Sequence, residues 1–275
     1  MARQYYRTGH AGSLARYRTV IDICGRATAI DPDYADAWAL MAAAQANLRR
    51  HFAQGDGGRA AVARALDLDG DLPTARAIHG QIAMMGGDYD LALSEVRKAL
   101  ALDEECLEAN LVAGQIHYRL RQLDAAIRYW ERAAGLAETD FIPTGLLATC
   151  YATHGDLERA RQAARSLKLR TELALSHESD NSSAIGFAAY AHAVLGEVGD
   201  VDRLVAEARA RGETNLQMKT SFVRALVLLG RHGAALDLLE EVLAAASAGF
   251  AIFAATDPSY DPLRDHPRFV AMMAR

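Results

Sequence analysis

Several patterns in this 275-residue sequence contain residue types that could do chemistry. The run Asp67-Leu68-Asp69-Gly70-Asp71 sets carboxylates around a glycine, as a calcium-binding loop does. Such a loop closes with a bidentate glutamate at its twelfth position, and Ile78 stands there. Aspartate and glycine also cap helices at turns, and that is the reading adopted. Gly55-Asp56-Gly57-Gly58 could bring backbone N–H groups to a phosphate, but no GxxxxGK[ST] follows it and no strand precedes it. The nine histidines include no HExxH and no zinc-type spacing to a cysteine. His79 and His117 fall beside apolar helical positions, where a histidine packs and hydrogen-bonds. Ser13, Ser166 and the serines near 182 lack the strand–turn–helix setting of an activated nucleophile. No motif pairs two carboxylates as acid and base. The expectation is a protein that is not an enzyme, with no catalytic residue, metal or cofactor.

Arg161, Arg165 and Lys168 recur at i, i+4 and i+7, with Arg159 and Arg170 nearby. Such a stripe could meet an acidic partner or nucleic acid, yet a solvated helix face explains it as well. The whole chain has a net charge of -5, so it offers no bulk attraction to nucleic acid or to an anionic membrane. It is 51% hydrophobic and 24% charged, enough apolar material for a sizeable core. Roughly a fifth of the residues are alanine, the strongest helix former, and only six are proline. Arginine greatly outnumbers Lys98, Lys168 and Lys219, a bias of G+C-rich bacterial genomes. Cys24, Cys106 and Cys150 form no CxxC pair and suit a reducing compartment. The N-terminus carries charges where a signal peptide has an apolar core. The uncharged stretch 242–256 is shorter than the ~18 residues of a membrane span. A cytoplasmic protein with no membrane contact is expected.

The elements that would position any site are repeated. GQIAMMGGDYDLALSEVRKALALD, from Gly80, aligns at an offset of 34 with GQIHYRLRQLDAAIRYWERAAGLA, from Gly114. Gly80 matches Gly114, Ala92 matches Ala126, Val96 matches Trp130 and Ala99 matches Ala133. A further unit contains Ala148, Tyr151, Gly155 and Ala160. A seven-residue insertion around SHESDNS then shifts the frame, after which Gly196 and Gly230 are again 34 apart. Apolar residues recur at helical spacings, and glycines at 87, 155, 196 and 230 mark left-handed breaks between two helices of each unit. Pro32, Pro73 and Pro143 fall at turns or helix starts.

These positions resemble the tetratricopeptide repeat (TPR) family. Trp38, Gly80, Gly114, Tyr151, Ala92, Ala126, Ala160, Ala235, Ala27, Ala65, Ala99, Ala133, Ala208 and Pro32 occupy its large, small, aromatic, alanine and proline places over residues 15–245. Gly70, Glu104 and Glu138 stand where proline is usual. The resemblance implies an all-α, right-handed solenoid of about seven helix-turn-helix units, the first degenerate, with a short C-terminal capping helix. The organisation expected is an N-terminal block at 1–175, a polar loop or hinge at 176–183, and a C-terminal block at 184–275 with a capping tail at 257–275. Pro267 suits the first turn of that last helix, with Phe269, Met272 and Met273 on its apolar side.

The tail, with its DP-x-Y-DPLR-x-x-PRF arrangement, is similar to segments that follow TPR arrays in bacterial signalling proteins. In those proteins a class III adenylate cyclase or winged-helix DNA-binding domain commonly precedes the array. The leading functional expectation is a non-catalytic scaffold that binds a peptide or protein segment in a concave groove. The alternative is the regulatory or sensor region of such a cyclase or transcription regulator, with a linked catalytic or DNA-binding domain as its partner. By resemblance, the first helix of each unit lines the groove through Gln81, Met84, Met85, Leu111, Gln115, Tyr118, Arg119, Thr149, Tyr190, Gln217 and Arg224. The lysine–asparagine carboxylate clamp of chaperone-binding TPR proteins is absent. Ala77, Leu111 and Gly145 stand at its lysine place, and Gln81, Gln115 and Thr149 at its asparagine place.

Overall fold

The computed structural model describes residues 14–212, 214–246 and 254–274. Ser13, the N-terminal decapeptide and part of the uncharged stretch 242–256 lie outside the described residues. Alanine-rich, helically spaced segments form α1 (Leu14–Ile30), α2 (Ala35–Phe52), α3 (Arg59–Leu68), α4 (Pro73–Met85), α5 (Tyr89–Leu102), α6 (Leu107–Arg119) and α7 (Leu123–Leu136). They continue as α8 (Phe141–His154), α9 (Leu157–His177), α10 (Ser182–Leu195), α11 (Val198–Ala210), α12 (Leu216–Leu228) and α13 (His232–Ala245). A 3-10 segment (Pro258–Leu263) and α14 (Pro267–Met273) complete the chain. No strand occurs among the described residues, and none of their helices is long and apolar enough to cross a membrane. From α2 onward the helices pair into hairpins, giving an all-α, TPR-type solenoid.

The chain divides into two compact units, Met1–Glu138 and Thr139–Arg275. In the first, α1 packs on α2, and the hairpins are α2/α3, α4/α5 and α6/α7. Its core joins Tyr17, Val20 and Cys24 to Met41, Val62 and Ile78, with a second cluster around Met84, Val96, Val112 and Ile116. In the second unit the hairpins are α8/α9, α10/α11 and α12/α13. Cys24, Cys106 and Cys150 are free and buried, and burial pushes the Cys24 thiol up to about 11.

The hairpin turns follow the glycines. Gly87, Gly155, Gly196 and Gly230 all have positive φ, so each ends its helix in the left-handed region that a side chain disfavours. Asp88 and Asp156 then cap the returning helices, accepting from the N–H groups of Leu91 at 3.0 Å and Arg159 at 3.1 Å. Two described residues depart from the pattern. Ala53, after α2, holds φ +55° without being glycine, and Arg121 holds φ +59° in the turn between α6 and α7.

Packing explains the small residues. A Cβ on Gly114 would collide with the Trp130 indole, which lies across the face of α6, is 1% exposed, and donates from Nε1 to the Leu111 carbonyl at 3.1 Å. The indole therefore packs on the first helix of its own hairpin. Gly145 is covered by the Phe187 ring in the same way. The seven-residue insertion is taken up largely as helix. Helix α9 has 21 residues where α5 and α7 have 14 each, and α9 packs against both α8 and α10. Asn181, itself buried, then caps α10 by accepting from Ala184 N–H at 3.0 Å.

Candidate binding face of the first helices

In the first unit the first helices are α2, α4 and α6. A 34-residue period puts the same place of each helix on the same side, so Asn47, Gln81 and Gln115 form a row of carboxamides. Gln81 Nε2 donates to Asn47 Oδ1 at 3.2 Å. Gln115 Oε1 is buried and accepts no hydrogen bond. Met85 and Leu111 are half-buried and add apolar surface. Other positions expected to line the groove are not solvated. Met84 belongs to the core beside Val96, Val112 and Ile116. Tyr118 is 4% exposed because its ring packs on Trp130, with centroids 5.5 Å apart, and Arg119 is 7% exposed.

In the second unit the first helices are α8, α10 and α12, and their outward positions are covered. Every residue from 181 to 193 is buried, as befits a helix that is apolar on all sides. Thr149 is buried and donates to the Gly145 carbonyl at 2.9 Å. Tyr190 is buried, and desolvation pushes its hydroxyl up to about 12 although Thr149 hydrogen-bonds it. Gln217 is half-buried. Arg224 is 8% exposed and donates from Nη2 to Asp257 Oδ2 at 2.7 Å. The cover is the 3-10 segment, which packs against α12 and α8. Tyr260 and Leu263 join Ile185, Ala188, Ala189, Phe222 and Leu226 in one apolar cluster. Phe269 and Met272 of α14 belong to the same cluster, with Met273 packed against it, as the spacing after Pro267 predicts.

The remaining candidate chemistry resolves into structure. At the calcium-like run, Asp69 Oδ1 accepts from Asp71 N–H at 3.0 Å, an aspartate turn between α3 and α4. In the glycine loop, Gly58 has φ +80° and approaches Ala42 so closely that a Cβ would collide with the Ala42 carbonyl oxygen. His79 faces Glu95 at 3.5 Å, and His117 stacks on Tyr129 with centroids 5.3 Å apart. Burial would raise the Glu95 carboxyl, but hydrogen bonding to Lys98 and the charges of Lys98, Arg76 and His79 outweigh it and hold it below its usual value. Of the basic stripe, Arg159 pairs with Asp156 at 2.6 Å and Lys168 with Glu197 at 2.8 Å, while Arg170 donates to the Asp140 carbonyl at 2.9 Å.

Two groups were not anticipated from sequence. His192, Glu197 and Asp200 place one ligand atom each within 4.8 Å of one another, as a metal ion would require. Lys168 at Glu197 and Arg203 at Asp200, 2.8 and 3.0 Å away, already balance both carboxylates. The pair Arg224–Asp257 is the other. Its signal was an arginine set inside the apolar run FVRALVLL, since a charge among core residues implies a buried partner.

No protein-family model matches the sequence, and no curated protein matches it. Solved structures do share its fold. It is similar to a human IFIT1 dimer with m7Gppp-AAAA at TM-score 0.60 and 12% identity, covering 96% of this chain and 67% of that one. It is similar to the APC/C hetero-tetramer Cut9-Hcn1 at TM-score 0.57 and 14% identity, covering 94% of this chain but only 46% of that one. YrrB, described as a TPR protein with an unusual peptide-binding site, overlaps less closely, at TM-score 0.41 and 18% identity over 79% of this chain and 97% of that one.

Proposed function

We propose that this chain is a non-catalytic interaction module that holds a peptide or protein segment against its first helices. In the first unit, Gln81, Gln115, Met85 and Leu111 supply the contact. The observation that supports this most directly is the carboxamide row with a buried, unpaired acceptor at Gln115. Packed helices lie roughly 8–10 Å apart, and an extended chain rises roughly 3.3 Å per residue. One side-chain amide therefore meets about every third peptide unit of a segment laid across the row. Gln115 as a whole is half-buried, so a turn of its carboxamide would present the oxygen to a backbone N–H of the incoming segment and recover the roughly 1–3 kcal/mol that an unmet buried acceptor costs. Met85 and Leu111 offer adaptable apolar contact beside the row. The net charge of -5 favours a polypeptide over a polyanion as the occupant.

The test is capture of a partner by the purified chain, followed by titration of the recovered segment against wild type and the double variant Gln81→Ala, Gln115→Ala. Binding should be at least about tenfold weaker in the variant, with an unchanged melting temperature. Equal affinities would remove the first helices of this unit from the binding surface.

A further inference from the structure

Unlike the first unit, the second has its first-helix face filled by the chain itself. Asp257 is 0% exposed and pairs with Arg224 at 2.7 Å. Its other carboxylate oxygen accepts from Ser259 N–H at 3.0 Å and Ser259 Oγ at 2.6 Å. Arg264 folds back to donate to the carbonyls of Ala255 at 2.6 Å and Asp257 at 3.2 Å, fixing the segment's shape. Tyr260 and Leu263, three and six residues after Asp257, are both buried in the cluster shared with α10 and α12. Charge, aromatic ring and branched apolar side chain thus project at the 3-10 period onto one surface. Buried tyrosine and arginine side chains are among the anchors that carry most of the binding energy at protein interfaces.

We propose that the first helices of the second unit form a docking site for a short segment carrying a carboxylate, an aromatic residue three positions on and leucine six positions on. In this chain, residues 257–263 occupy that site in cis. The proposal rests on the first helices being the binding face, and it names the occupant for the second unit. An external partner of the same pattern competes with a segment of the same chain, whose binding is intramolecular and therefore favoured over that of a dilute free partner. The site is therefore closed until the tail is displaced or taken up by another molecule.

The test uses the full chain with a protease-cleavable sequence inserted between Ala246 and Ala254. The probe is a fluorescently labelled synthetic peptide of residues 254–274, followed by anisotropy. The intact chain should exclude the peptide. The cleaved chain, diluted so that its own tail dissociates, should bind it saturably. A peptide carrying Asp257→Asn should bind at least about thirtyfold more weakly, because the buried Arg224 loses its charge partner. The intact chain carrying Asp257→Asn should admit the wild-type peptide. An intact chain that exchanges tails and dimerises makes the same contact in trans and supports the proposal. Equal peptide binding by intact and cleaved chains overturns it, as does a folded, cleaved chain that binds no peptide. Should cleavage unfold the second unit, the intact Asp257→Asn chain decides: peptide binding supports the site, and none overturns it. These outcomes are independent of the Gln81 and Gln115 variants, so the two readings fail separately.

Discussion

Replacing Gly114 by alanine adds a single methyl group, yet it should destabilise the first unit. Helix propensity alone predicts a gain of about 1 kcal/mol for this change in a helix interior. The new Cβ would overlap the Trp130 indole, which is fully buried and tied to the Leu111 carbonyl. An overpacked core costs about 1–3 kcal/mol, and here the obstacle is a rigid ring with a hydrogen bond to lose. The clash should outweigh the propensity gain. Trp130→Ala should cost more, about 3–5 kcal/mol, through lost burial and the cavity left behind. The two effects should not add. With the indole gone, the Gly114 methyl has room, so the double variant should be no less stable than Trp130→Ala alone. Urea titration of the four proteins measures all three differences. A Gly114→Ala midpoint at or above wild type would refute the close crossing of α6 and α7.

Other consequences follow from single sites. His51 is buried against Tyr17 Oη at 3.1 Å, and burial, then Arg50, hold its pKa well below 6.5. The unfolded chain takes up that proton first, so stability should be lost as pH falls through about 6.5 and be constant above it; His51→Gln should flatten the dependence measured by thermal melts at pH 5–8. Tyr118→Ala should cost about 3 kcal/mol in urea denaturation, since the ring is packed on Trp130 and not solvated. Gly58→Ala should cost about 1–3 kcal/mol by the same assay, combining left-handed strain with a clash against Ala42.

The repeat was legible because its constraints are local. Glycine at 87, 155, 196 and 230 answers a left-handed backbone, and glycine at 114 answers an aromatic ring one period below Val96. Residue type alone records such demands. The exposure of the first-helix face was not legible in this way. Thr149, Tyr190 and Arg224 were expected, by resemblance alone, to face a ligand, but a segment far along the chain lies over that unit. Whether a face is open depends on long-range packing, which a 34-residue period does not encode. The insertion near 176–183 shows a related limit. Its polar composition suits a loop, and 178–181 is a turn within that span. The composition does not show that α9 lengthens by seven residues, about two helical turns, before reaching it.

If the first helices, and not the second, form the binding face, a bound partner must lie against the side chains that project from them. Site-specific photocrosslinking tests this most directly. A photoreactive residue is placed in turn at Gln81 and Gln115 on first helices and at the exposed Arg128 and Glu131 on α7, and each protein is irradiated with the captured partner. Partner adducts are expected at Gln81 and Gln115 and none at Arg128 or Glu131. Adducts confined to Arg128 and Glu131 would contradict it.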